Sequence, residues 1–153
     1  MSDDHGTIVE LAANDCLALL RAADVGRLAV SRPTHPEVFP VNFVVDHGAV
    51  VFRTAAGTKL DALTHDDHVT FEADGYDAGS GDAWSVVIKG RAIEIGDVHD
   101  KVDAADLPLF PWHTAPKPRV VRILPVEMTG RRFHAARRDA AARAVAPHRA
   151  ASE

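Results

Sequence analysis

Apolar and polar positions alternate along much of this chain. From Val38 to Asp46, Phe39, Val41, Phe43 and Val45 fall on one side of an extended strand, with Val38, Pro40, Asn42 and Val44 on the other, because successive strand side chains point to opposite faces. Both sets are largely apolar, as in a barrel wall. Pro40 has no N–H to donate, so a ladder through it carries a gap or a free edge. Asp46-His47-Gly48 then closes a hairpin onto Ala49–Thr54. Further strands are predicted over Arg27–Ser31, Val69–Asp74, Ala83–Ile95 and Arg119–Val126. In the longest, Trp84, Val86 and Ile88 alternate with Ser85, Val87 and Lys89, and Gly90 predicts a bulge or sharp bend. Pro125 predicts an interruption of the last strand.

Helical spacing appears in three places. Asn14 or Asp15 can cap a helix reaching about Ala23, with Leu17, Leu20 and Ala23 on one face. Gly26 would end it, glycine tolerating the left-handed conformation of a helix stop. A short helix, Thr58–Thr64, starts behind Gly57, and Asp97–Leu107 carries Val98, Val102 and Ala105 as a stripe. Pro108–Pro118 reads as a stiff loop holding Trp112. Residues 1–10 and 134–153 read as flexible termini outside the core. Six strands at hairpin spacing with short helices between them predict a mainly β fold, a small six-stranded antiparallel barrel. Most connections are too short for the crossovers of a parallel sheet.

Composition narrows the partners. A chain of 153 residues can bury a sizeable core as a single domain, 1–153. Net charge is −5, which argues against bulk nucleic-acid binding, since that needs a basic footprint, and leaves room only for a local basic patch. The single cysteine, Cys16, can form no disulfide within the chain, and among Leu17, Leu19 and Leu20 it reads as a small buried apolar group. No run approaches membrane-span length, and Ser2-Asp3-Asp4-His5 lacks the character of a signal peptide. A cytoplasmic protein without a membrane partner is expected.

Catalytic signatures are sparse. The chain has no nucleophile elbow, Walker loop or dinucleotide fingerprint, and no catalytic residue is named. His65-Asp66-Asp67-His68 is the nearest approach to a metal set, but it sits between a helix and a strand, where polar residues are expected anyway; no metal is assigned. Arg131 and Arg132 are candidates for an anionic group, whereas Arg137, Arg138, Arg143 and Arg149 read as a solvated tail. The strongest constellation follows the hairpin. Strand, turn Ala55-Ala56-Gly57 and helix start bring Arg53, Thr54, Thr58 and Lys59 together. The helix start adds free N–H groups and partial positive charge, the makings of a phosphate cradle.

Several pieces, in order, carry a resemblance: Cys16-Leu17-Ala18-Leu19-Leu20 leading to Val25-Gly26-Arg27-Leu28; Pro40-Val41-Asn42-Phe43; Val51-Phe52-Arg53-Thr54 with Gly57-Thr58-Lys59-Leu60; Trp84-Ser85-Val86-Val87-Ile88-Lys89-Gly90-Arg91; and Thr129-Gly130-Arg131-Arg132-Phe133. Over roughly residues 10–133 the chain resembles the pyridoxamine 5′-phosphate oxidase-like family, the flavin-binding split barrels. The resemblance implies a six-stranded split β-barrel that forms a homodimer, with flavin mononucleotide (FMN) in the dimer cleft. It places Pro40, Val41, Asn42 and Phe43 along the flavin ring, and Phe52, Arg53 and Thr54 along the ring and ribityl chain. Thr58 and Lys59, behind Gly57, would hold the phosphate, and Trp84 and Ser85 would approach the cofactor from another strand. The C-terminal tryptophan and arginine pattern of true pyridoxamine phosphate oxidases is missing, which argues against vitamin B6 oxidation. The function implied is an FMN-dependent oxidoreductase acting on an unidentified small molecule. Two alternatives share the fold: a reductase using the deazaflavin F420, with Arg131 and Arg132 meeting its acidic tail, and a non-catalytic flavin-binding or sensing protein. The histidines show no axial-ligand pattern for haem.

Overall fold

The computed structural model describes residues 7–55, 57–95 and 119–135. The helix expected at Asp97–Leu107, the loop Pro108–Pro118 and the tail from residue 136 onward lie outside the described residues. The elements are β1 (Val9–Glu10), α1 (Ala13–Ala22), β2 (Val25–Val30), β3 (Glu37–Asp46), β4 (Ala49–Thr54), α2 (Thr58–His65), β5 (His68–Tyr76), β6 (Asp82–Glu94) and β7 (Arg119–His134). Six strands pair antiparallel in the order β7-β4-β3-β2-β5-β6, and β6 pairs back onto β7 to close a barrel. This is the expected six-stranded split barrel.

Local chemistry explains its corners. The β3–β4 hairpin turns through His47 (φ 48°) and Gly48 (φ 76°), two consecutive positive-φ residues whose twist suits a two-residue hairpin. The break expected at Gly90 is present. Lys89 faces Glu127 while Gly90 faces Pro125, so Val126 is the extra residue of a bulge and stands 79% exposed. A Cβ on Gly90 would lie 2.2 Å from the Leu124 carbonyl oxygen, so the strands approach too closely there for a side chain. Because the irregularity accommodates Pro125, β7 runs on to His134.

Inward-facing positions fill the barrel. Val41 and Phe43, Val50 and Phe52, Val69, Phe71 and Ala73, Val86 and Ile88, and Val121 and Ile123 belong to one buried cluster. Phe43 meets Phe71 edge-on, with centroids 4.9 Å apart. Each of these valine, isoleucine and phenylalanine side chains contributes about 1.5–3 kcal/mol by leaving water. The helices close the two mouths. From α1, Cys16 and Leu20 enter the core, and Cys16 Sγ lies 2.4 Å from where a Cβ on Gly130 would sit. Burial pushes the Cys16 thiol pKa up. At the other mouth, Leu60, Leu63 and Thr64 of α2 line a small cavity with Ala92, Glu94 and Val121.

Three sequence expectations need correction. Val9 and Glu10 are not part of a loose arm; they pair with Arg132 and Arg131 as β1. Helix α1 starts behind Ala12, without a side-chain cap from Asn14 or Asp15. Gly26 does not stop that helix. It lies inside β2, where a Cβ would fall 2.2 Å from Phe71 Cζ. Close approach across the sheet, not backbone handedness, calls for glycine there.

Candidate functional site at the start of α2

Strand alternation divides the candidate residues. Val41, Phe43, Phe52 and Thr54 are buried, the first three in the core cluster. Thr54 Oγ1 donates to the Ala55 carbonyl at 3.3 Å. These four can offer little but backbone to anything outside the barrel. Pro40, Asn42 and Arg53 take the outward positions. Phe43 pairs with Phe52, so the next outward pair along that ladder is Asn42 and Arg53. Asn42 Oδ1 and Arg53 Nε are buried atoms that make no hydrogen bond, while both residues are engaged in other interactions.

Behind β4 the chain turns into α2 through Gly57, whose φ of 150° is a conformation that side-chain-bearing residues rarely adopt. Its carbonyl accepts from Asp61 N at 2.9 Å, the first bond of the helix. Gly57 supplies no side-chain cap, so no side chain at the cap competes for the N–H groups of the first turn. Thr58 is exposed and Lys59 half-buried. Lys59 Nζ stands 5.2 Å from the centroid of the Phe39 ring. Asp61, also in the first turn, complements the positive helix end. A helix N-terminus, a hydroxyl, an ammonium and a nearby guanidinium form a donor set suited to phosphate.

Trp84 and Ser85 are not part of this group within one chain. Strands β3 and β6 stand three apart in the six-stranded ring, on opposite sides of the barrel. Arg53 pairs with Val120 on β7, whereas Ser85 pairs with Arg131. Those two points are about 35 Å apart along the strand. Trp84 lies opposite Arg132, and its indole covers Gly75, where a Cβ would fall 2.2 Å from Nε1. With Tyr76, Asp82 and Arg132 it lines a cleft of about 530 Å³. The sequence reading named Arg132 as a candidate but missed Tyr76 and Asp82, which carry no motif.

The wall between these regions holds an acidic pair that the sequence reading also missed. Arg27 Nη1 lies 3.8 Å from Glu72 and 3.7 Å from Asp74. Arg27 pairs with Pro40, and Asp74 with Ser85. Burial, then a hydrogen bond and charge repulsion from Asp74, push Glu72 up to about 7 against the opposing pull of Arg27. Asp66, Asp67 and His68 also converge. Asp67 accepts from Arg91 at 2.7 and 3.1 Å, and Asp66 contacts His68 Nδ1 at 2.9 Å. The His68 backbone N–H lowers the Asp66 pKa, and the Arg91 hydrogen bond lowers that of Asp67. These polar partners account for the cluster, and no metal is assigned.

The family model for pyridoxamine 5′-phosphate oxidase matches residues 12–132, and the chain belongs to that family. The uncharacterized protein Rv0080 of Mycobacterium tuberculosis is 33% identical over 131 residues, 82% of this chain and 86% of that protein. A Corynebacterium glutamicum structure provisionally assigned as a pyridoxamine 5′-phosphate oxidase is 38% identical, with a TM-score of 0.76, over 84% of this chain and 99% of that one. A FAD-binding protein from Mycobacterium smegmatis is 37% identical, with a TM-score of 0.71, over 82% and 98%. Among the described residues no helix is long and apolar enough to cross a membrane.

Proposed function

We propose that this chain is a flavin-dependent oxidoreductase that holds FMN at the start of α2 and along the outer wall of β3 and β4. The observation carrying this reading is the arrival of Arg53, Thr58, Lys59 and the α2 N-terminus at one end of the barrel. One helix start and one lysine suit a cofactor with one terminal phosphate. The M. smegmatis relative is described as binding FAD, which shares the flavin ring and the first phosphate. A bound flavin supplies hydride and electron transfer. The chain supplies a phosphate cradle in Thr58, Lys59 and the first-turn N–H groups, positive charge at Arg53, and a wall at Pro40 and Asn42.

The residues that the family resemblance assigns to one cofactor lie at the two ends of one barrel. A second copy placing its Trp84 and Ser85 against the α2 end of the first would unite them, in two equivalent sites related by a two-fold axis. A homodimer is the assembly proposed, with a small molecule as substrate.

An absorption spectrum of the purified full chain, followed by mass spectrometry of the released cofactor, tests the reading. FMN is expected. A colourless protein that binds only F420 would replace FMN with the deazaflavin, and bound flavin without turnover by any electron donor would make the protein a carrier or sensor. Lys59→Ala is expected to weaken FMN binding about ten-fold or more, the scale of a lost charge-assisted hydrogen bond. Thr58→Ala should weaken it less. Unchanged affinity in both variants would refute the phosphate assignment.

A further inference from the structure

Lys59 occupies the second position of α2, where its charge opposes the positive end of the helix. Helix stability gives no reason for a cation there. Its long flexible stem would also leave the ammonium spread over many rotamers. The structure instead gathers that ammonium over an aromatic face, 5.2 Å from the Phe39 centroid, within the distance at which a ring attracts a cation. The ring is itself anchored. Phe39 is paired with Leu28 across the β2–β3 ladder and packs on the barrel core. One residue later the chain reaches Pro40 on the outer wall. An aromatic face attracts a cation without carrying a countercharge of its own.

We infer that Phe39 is a positioning residue for Lys59, holding its ammonium at the start of α2 so that it meets an incoming phosphate with little further ordering. The inference rests on the proposed flavin-phosphate site. Restricting the lysine beforehand strengthens binding by reducing the entropy lost on association. The benefit belongs to the phosphate alone.

The test measures dissociation constants for FMN and for riboflavin, which lacks the phosphate, by quenching of flavin fluorescence. The proteins are the full chain, Phe39→Leu, Phe39→Trp, Lys59→Ala and the double variant Phe39→Leu/Lys59→Ala. Phe39→Leu is expected to weaken FMN about two- to five-fold, the scale of a partly exposed cation–π contact, and to leave riboflavin unchanged. Phe39→Trp, which presents a stronger cation-binding face, should retain the FMN affinity. In the Lys59→Ala background, Phe39→Leu should have no further effect. Equal weakening of FMN and riboflavin would make Phe39 a packing residue only and overturn the inference. So would an effect that persists without Lys59, or a Phe39→Leu variant binding FMN as well as wild type while Lys59→Ala does not. If Lys59→Ala itself leaves FMN affinity intact, the phosphate site fails first, and this inference falls with it.

Discussion

Replacing Gly26 with alanine puts one methyl group where the sheet has no room. The added Cβ would lie 2.2 Å from Phe71 Cζ, 2.6 Å from Phe71 Cε2 and 2.9 Å from the Glu72 carbonyl oxygen. Phe71 is fully buried and held edge-on to Phe43, so its ring has little freedom to swing away. The Glu72 backbone is fixed in the β2–β5 ladder opposite Arg27. Overpacking of a close-packed core costs about 1–3 kcal/mol, and with one contact made to backbone the upper end, about 3 kcal/mol, is expected. At this chain length that lowers the melting temperature by about 10 °C. Urea and thermal denaturation of wild type, Gly26→Ala, Phe71→Leu and the double variant give the measurement. Phe71→Leu removes the two ring contacts but not the one to the Glu72 carbonyl, so the double variant should recover about 1–2 kcal/mol relative to additivity. A left-handed glycine would behave differently: alanine would cost about 1 kcal/mol whatever stood at position 71. A loss below about 0.5 kcal/mol, or one indifferent to Phe71→Leu, would refute the close-approach explanation.

Two further predictions concern charge. Arg122 donates to the Asp46 carboxylate at 2.7 Å and to its carbonyl at 3.1 Å, tying β7 to the β3–β4 turn; Arg122→Ala should cost about 1–2 kcal/mol in urea unfolding. Chiefly through that hydrogen bond the Asp46 pKa is lowered on folding. The stability it adds is therefore present above its unfolded value near ~4 and is lost as pH falls through the folded one. The gap between wild type and Arg122→Ala should be level from pH 5 to 8 and narrow in acid; a gap that widens in acid would contradict the assignment. Glu72 shifts the other way, up to about 7. Its contribution is complete below the unfolded value near ~4.3 and is lost as pH rises through about 7. Melting curves from pH 5 to 8 should show Glu72→Gln with a flatter pH dependence than wild type, and identical slopes would contradict a shared proton.

Alternation in β3 was legible because Phe39, Val41, Phe43 and Val45 occupy consecutive same-face positions and all turn inward. The same alternation could have warned that motif neighbours such as Asn42 and Phe43 face opposite ways, since matching by position ignores which side of a strand a residue takes. Gly26 misled because a glycine closely following a helical pattern resembles a helix stop. Its true constraint, Phe71, is a ladder neighbour 45 positions away in the chain and leaves no local trace. The interruption at Pro125 was legible, but the extension of β7 beyond Val126 was not, because the bulge that absorbs the proline depends on Gly90 of the partner strand. The proposed phosphate cradle could be put forward from sequence because Gly57, Thr58 and Lys59 are consecutive. Phe39 was visible as a wall residue, but its contact with Lys59 joins two elements that only the folded barrel brings together.

Strand β1 has a consequence for engineering. Val9 lies opposite Arg132, and Leu11 N donates to the Gly130 carbonyl at 2.9 Å, so the chain enters and leaves the barrel side by side at the α1 mouth. A short linker from residue 135 back to residue 7 would convert the barrel into a ring, to be reopened at the exposed His47-Gly48 turn as a circular permutant. Cargo fused at either natural junction would stand beside the Trp84 cleft, at the opposite mouth from the start of α2. The permutant would carry its fusions at the β3–β4 turn instead, across the barrel from β6 and its Trp84 cleft.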